Sequence, residues 1–192
     1  MENKKPTQFL MKPKVDFCFK ELMEDEEVRN AFLAAVLGIN LEEINESKIL
    51  PSHLCQKDKD DKLGILNFIM FDDEEYYCRF HFWSDKGRKL YSDKFEIHTL
   101  ELPKLAKHDY PETELLKWLQ FINAETEEEF EMAAEKSEYI KKAYEDLNRI
   151  SADEEKRLEY EERERAIRDH QYFSTVYKNT GLKEGRREGR QE

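Results

Sequence analysis

Apolar positions between Val15 and Leu37 fall at Phe19, Leu22, Met23, Phe32, Leu33, Val36 and Leu37, with the acidic stretch Glu24 to Glu27 between the two groups. This spacing predicts two short amphipathic helices joined by a polar elbow, the second ending at Gly38, where a left-handed residue stops a helix at little cost. Ala31, Phe32, Ala35 and Val36 form the packing face of the second helix. A connector follows, with an extended piece at Lys48 to Leu50, because a residue before proline disfavours helix. Leu63 to Phe71 is dense in Ile, Leu, Phe and Met, the pattern of a strand buried on both faces. Tyr76 to Trp83 alternates, placing Tyr76, Cys78, Phe80 and Phe82 on one face and Tyr77, Arg79, His81 and Trp83 on the other. Ser84 to Gly87 supplies a turn, and Leu90 to Leu102 returns as the partner strand.

Beyond Pro103 the pattern is helical. Glu112 to Asn123 carries Leu115, Leu116, Trp118, Leu119, Phe121 and Ile122, too much apolar surface for a free helix, so it is expected to dock on the sheet. Thr126 to Glu129 and Ser151 to Glu154 read as capping boxes opening further helices. A helix beginning near Ser137 presents Ile140, Ala143, Tyr144 and Leu147 on one side. Glu154 to Asp169 has Leu158, Tyr160, Ala166 and Ile167 as anchors among charges. It is expected to be a solvent-facing or partner-seeking helix supported by the pairs Glu161–Arg165 and Glu164–Arg168. From Lys178 onward, Gly181, Gly185 and Gly189 recur among Lys, Arg and Glu, predicting either a marginal helix or a disordered tail. The fold class is α+β: N-terminal helices, a small mainly antiparallel sheet, then a helical C-terminal half. The organisation expected is an α+β domain over 1–110, a helical region over 111–170 and a charged, flexible tail over 171–192.

Composition narrows the partners. The formal charge is −12 and 40% of residues are charged, so any contact with nucleic acid must be local. No apolar run approaches the roughly 20 residues of a membrane span, and the start, Met-Glu-Asn-Lys-Lys-Pro, has no apolar segment of a secretion signal. The expectation is a cytoplasmic protein without a membrane partner. Its three cysteines, Cys18, Cys55 and Cys78, lack paired spacing and read as reduced thiols.

Several side chains invite a chemical reading beside a bland one. Asp58, Asp60 and Asp61 are candidate metal ligands, but Lys57, Lys59 and Lys62 offset their field, and solvated mixed charge is favoured. Asp72 to Glu75 is read as a solvated acidic turn, since consecutive residues in a turn point in different directions. His81 and His98, on facing strands, are candidate zinc ligands without a suitably spaced third, so a structural role is favoured. Asp16 and Lys20, four apart on one helix face, either orient a nucleic-acid strand near a metal or simply pair with each other.

Four blocks carry a family resemblance: Lys12-Pro-Lys-Val-Asp-Phe-Cys-Phe-Lys20; Lys57 to Leu66; Tyr76 to Phe82 with Tyr91 to His98 and Leu100-Glu-Leu-Pro-Lys104; and the glycine-spaced tail. In this order they resemble the PD-(D/E)XK nuclease family transposases, also called recombination-promoting nucleases (Rpn), over nearly the whole chain. The resemblance implies a restriction-endonuclease-like core and Mg²⁺-dependent DNA cleavage, the metal activating water and stabilising the leaving oxygen. It also implies that the leucine of the second block is followed by an aspartate and, one strand later, by Glu-x-Gln, which hold the metal. Here Leu66 is followed instead by Asn67-Phe-Ile-Met-Phe-Asp-Asp-Glu-Glu-Tyr-Tyr77, similar to a stretch the family carries downstream. Asn67 is then either a neutral replacement for the ligand or, the favoured alternative, part of the downstream strand with no catalytic meaning.

The resemblance therefore implies a shortened chain with no intact catalytic set, only the remnants Asp16, Lys20, Asp61 and Asn67, with Glu96 as a further carboxylate a surviving metal would need. No cofactor is expected, and Mg²⁺ only if nuclease activity remains. The partners expected are DNA at the level of the family, and a paralogous intact nuclease or a second copy through the C-terminal helices.

Overall fold

In a computed structural model of the protein, residues 9–49, 62–91 and 96–188 are described. Asp58, Asp60 and Asp61, and with them one of the candidate remnants, lie outside the described residues.

The N-terminal helices form where expected, α1 at Asp16–Met23 and α2 at Glu26–Leu37. Asp25 caps α2 by accepting from Glu27 N at 2.9 Å and Val28 N at 3.0 Å. Gly38, at φ 68°, ends it with its N–H bonded to the Ala34 carbonyl. The acidic elbow between the helices finds a counter-charge far along the chain, where Lys142 Nζ lies 3.0 Å from Asp25. Burial raises the Asp25 pKa, but hydrogen bonds from Val28 N and Lys142 outweigh it, so the carboxyl titrates below its ordinary value. Val28, Ala31, Phe32, Ala34 and Val36 are buried, which adds Val28 and Ala34 to the expected face and leaves Ala35 at its edge.

Strands β1 (Lys62–Leu66), β2 (Tyr77–His81) and β3 (Glu96–Glu101) make one sheet in the order β1-β3-β2. β2 pairs antiparallel to β3, with His81 opposite Glu96 and Arg79 opposite His98. β1 pairs parallel to β3, Ile65 opposite Leu100, so the sheet is mixed. Beyond β2 the hairpin carries the bridge Trp83 to Leu90, and residues 92–95 of the expected returning strand lie outside the described residues.

The run Leu63 to Phe71 is not one buried strand. It leaves the sheet at Leu66, and Phe68, Ile69 and Met70 are 58%, 42% and 57% exposed. The cause is a competing acceptor. The Glu101 carboxylate takes Met70 N at 2.7 Å and Phe71 N at 3.4 Å, so these amides bond a side chain rather than a neighbouring strand.

The main core is helical. Helices α3 (Glu114–Asn123), α4 (Glu127–Ala134) and α5 (Glu138–Ala152) follow in sequence. A file of aromatic rings crosses five helices: Phe19 to Phe32 at 5.5 Å, Phe32 to Trp118 at 5.7 Å, Trp118 to Phe121 at 6.2 Å, Phe121 to Phe130 at 5.5 Å and Phe130 to Tyr144 at 6.0 Å. α3 accordingly packs chiefly on α2 and α4 rather than docking on the sheet. Leu100 and Leu102 join the same core from the sheet side. The capping box at Thr126 and Glu129 forms as the sequence predicts.

The second expected box does not form. Ser151 is buried in α5, where its Oγ accepts from Met11 N at 3.0 Å, and Asp153 caps the next helix by accepting from Lys156 N at 3.0 Å. That helix, α6 (Glu154–Glu188), is anchored at its base by Tyr160, 1% exposed, whose hydroxyl accepts from Lys12 N at 3.2 Å. Of the two expected ion pairs Glu164–Arg168 forms at 3.3 Å, while Glu161 pairs backward with Arg157 at 3.1 Å. Helix continues through Gly181 and Gly185 to Glu188, the helical alternative for the first part of the tail.

Candidate functional site

Among the sequence-derived remnants, α1 carries Asp16 and Lys20 one turn apart, and the Lys20 ammonium sits 2.8 Å from the Asp16 carboxylate, which is 70% exposed. Asn67 lies just past β1 and is exposed; its amide nitrogen donates to the Lys14 carbonyl at 3.3 Å. The structure thus brings Asn67 to the segment entering α1, two residues before Asp16, with its amide nitrogen on the Lys14 carbonyl and Lys20 on Asp16 Oδ2. Asp61 lies outside the described residues.

Asp16 and Asn67 are both turned to protein partners in this structure. A hard cation of the Mg²⁺ type is held by carboxylate oxygens that dehydrate it. Here the Asp16 carboxylate is bonded by a lysine, and Asn67 turns its donor, not its oxygen, to the neighbouring backbone. Among the described residues no group of three His, Cys, Asp or Glu side chains is arranged to hold a metal.

The titratable residues that do converge are on the sheet. On the face that contributes Leu100 to the core, Glu96 Oε1 lies 2.6 Å from His81 Nε2, and Glu96 Oε2 lies 3.3 Å from His98 Nε2 and 3.8 Å from Arg79. His98, 2% exposed, meets the Tyr77 hydroxyl through Nδ1 at 3.0 Å. Burial pushes the Tyr77 phenol above its ordinary pKa. The two histidines are therefore brought together, through a shared carboxylate and with a tyrosine behind one of them, an arrangement that ties β2 to β3. Alternation showed that His81 and Arg79 share a face, but the register that sets Glu96 between the histidines was not legible.

The opposite face holds what sequence reasoning missed. Glu101 and Lys104 are each 1% exposed. The Lys104 ammonium donates to Asp73 Oδ1 at 2.6 Å, to the Glu75 carbonyl at 2.9 Å and to Glu101 Oε1 at 3.3 Å. Asp72 to Glu75 is thus no freely solvated turn, since two of its members bond a buried cation. Burial works against the Lys104 charge, but hydrogen bonds to Asp73 and Glu101 outweigh it and raise its pKa. The same hydrogen bond lowers the Asp73 pKa. The signal in the sequence was a Glu and a Lys spaced three apart around Leu-Pro, which places both on one side of the short 3₁₀ turn Leu102–Lys104.

This sheet with its Glu-Leu-Pro-Lys turn, followed by the helices, falls within the part of the chain that matches a family model. Residues 62–175, more than half of the chain, match the model described as PD-(D/E)XK nuclease family transposase. The chain belongs to that family. No curated protein and no solved structure matches it. The match to the nuclease family transposases opens at β1 and runs into α6, so it spans the buried Glu101–Lys104 pair and the His81–Glu96–His98 strip. No described helix of this family member is long and apolar enough to cross a membrane.

Proposed function

We propose that this chain is a shortened, catalytically silent relative within its nuclease-transposase family, one that keeps the scaffold and not the DNA-cutting centre. The observation that carries the reading is the path of the chain after Leu66. Asn67 bonds the Lys14 carbonyl, and the following amides bond Glu101, so the residues succeeding the apparent approach to a metal strand serve as structural clasps. The Lys20 ammonium on Asp16 Oδ2, one turn along α1, gives that carboxylate a structural partner, which supports the same reading. On this reading the protein needs no resident Mg²⁺, acts in the cytoplasm, and meets DNA only as far as its family relationship extends.

A second reading, an interaction module that associates with an intact nuclease paralogue or a second copy, is supported by α6. Tyr172, Phe173 and Tyr177 on that helix are 66%, 55% and 73% exposed, an aromatic content that a purely solvated helix does not need.

Supercoiled plasmid incubated with Mg²⁺ or Mn²⁺ tests the first reading. The expected result is no nicking above a protein-free control. Robust cutting by the native chain that Asp61→Ala abolishes would sink it.

A further inference from the structure

The hairpin tip between β2 and β3 does no work in the reading above. Residues 82–91, Phe-Trp-Ser-Asp-Lys-Gly-Arg-Lys-Leu-Tyr, are all exposed and hold Lys86, Arg88 and Lys89 against the single carboxylate of Asp85. On a chain of formal charge −12 this is a local reversal of sign. Among the described residues none of the three cations makes an ion pair within 4.0 Å. The acidic loop Asp72 to Glu75 sits at the other end of β2, a five-residue strand. At about 3.3 Å per residue this puts it roughly 17 Å away, about twice the screening length in physiological salt.

The tip is also preorganised. Ser84 N donates to the Lys89 carbonyl at 2.9 Å, Arg88 N to the Ser84 carbonyl at 3.0 Å, Lys89 N to Ser84 Oγ at 3.0 Å and Tyr91 N to the Phe82 carbonyl at 2.8 Å. Arg88 is held at φ 45°, a left-handed conformation in which a non-glycine residue is uncommon. Trp83 faces Leu90 across the ribbon, so by strand alternation Trp83 and Tyr91 leave it on opposite faces. They are 55% and 85% exposed.

We propose that this hairpin tip binds single-stranded nucleic acid, with Lys86, Arg88 and Lys89 on the phosphates and Trp83 and Tyr91 stacked on unpaired bases. Charge complementarity selects a polyanion. The pair of open rings selects one whose bases are free to stack, since a ring can lie on a base face only where that base is unstacked. The proposal goes beyond the silent-relative reading and stands whether or not the chain cleaves DNA.

The test is fluorescence anisotropy of a labelled 20-nucleotide oligothymidylate with the full chain in EDTA, where metal-dependent cutting cannot intervene. Saturable binding is expected, weakening with a slope of about −2 in log affinity against log salt for three phosphate contacts. Combined Lys86→Ala, Arg88→Ala and Lys89→Ala should weaken it at least about tenfold and flatten that slope, while Trp83→Ala with Tyr91→Ala weakens it and leaves the slope in place. Single Lys86→Glu serves if the triple variant fails to show the native circular dichroism spectrum. No saturable binding, or equal binding by the triple variant, overturns the proposal. So does binding to phosphatidylglycerol vesicles that the triple variant loses when the oligonucleotide is not bound, since the tip would then serve a lipid surface.

Discussion

Trp118→Ala destabilises the protein by about 3–5 kcal/mol, the range for deleting a buried aromatic side chain. Trp118 is 2% exposed and stands between Phe32 of α2 and Phe121 in the ring file that links α1 to α5. Its removal opens a cavity and also breaks two edge-to-face contacts, each worth about 0.5–1.5 kcal/mol beyond area. Against a total stability of about 5–15 kcal/mol such a loss brings the chain close to unfolding. Urea unfolding measures it, with Trp118→Phe as the milder comparison. A loss below about 1 kcal/mol for the alanine variant would mean that the helices do not share one core.

Glu101→Leu is the second large effect, for a different reason. It strips the Lys104 ammonium of a buried carboxylate and leaves the Met70 and Phe71 amides without their acceptor. Removing one member of a buried ion pair costs up to about 3–5 kcal/mol, and here Asp73, 2.6 Å from the ammonium, keeps part of the Lys104 charge compensated, so the loss falls toward the lower end. The double variant Glu101→Leu with Lys104→Met should recover part of that loss, a coupling that a double-mutant cycle reads directly.

The pH dependence of this clasp follows from its two shifted groups. The folded Asp73 pKa is lowered, so its contribution is present above the ordinary aspartate value of about 3.9 and is lost as pH falls through the folded value. The folded Lys104 pKa is raised, so its contribution is full below the ordinary lysine value of about 10.4 and is lost as pH rises through the folded value. Lys104→Met should flatten the stability profile at both ends. An unchanged acid limb would show that Asp73 draws nothing from Lys104.

The helices were legible in the sequence because their signals are local. The stop at Gly38, the Thr126–Glu129 box and the apolar face of α3 each depend on residues within a few positions. What was illegible depends on distant partners. Nothing near Phe68 shows that Glu101 will capture the backbone at Met70 and Phe71 and cut short an otherwise strand-like run. Nothing near Ser151 shows that its hydroxyl serves Met11, leaving the cap to Asp153. The candidate site behaves likewise. Asp16 and Lys20 were visible as a pair four apart, whereas the fate of Asn67 turned on a carbonyl 53 positions earlier in the chain. The Glu-Leu-Pro-Lys block was conspicuous as a motif, but its role as a buried clasp on the acidic loop needed the tertiary fold.

The measurement that bears most directly on the account is Mn²⁺ binding by the full native chain, followed by the loss of free-ion electron paramagnetic resonance signal. A catalytically silent chain shows only weak, non-saturating uptake by surface carboxylates, unchanged by Asp16→Ala or Asn67→Ala. A saturable site of one ion per chain, lost in either variant, would contradict it and return the protein to the metal-dependent nucleases.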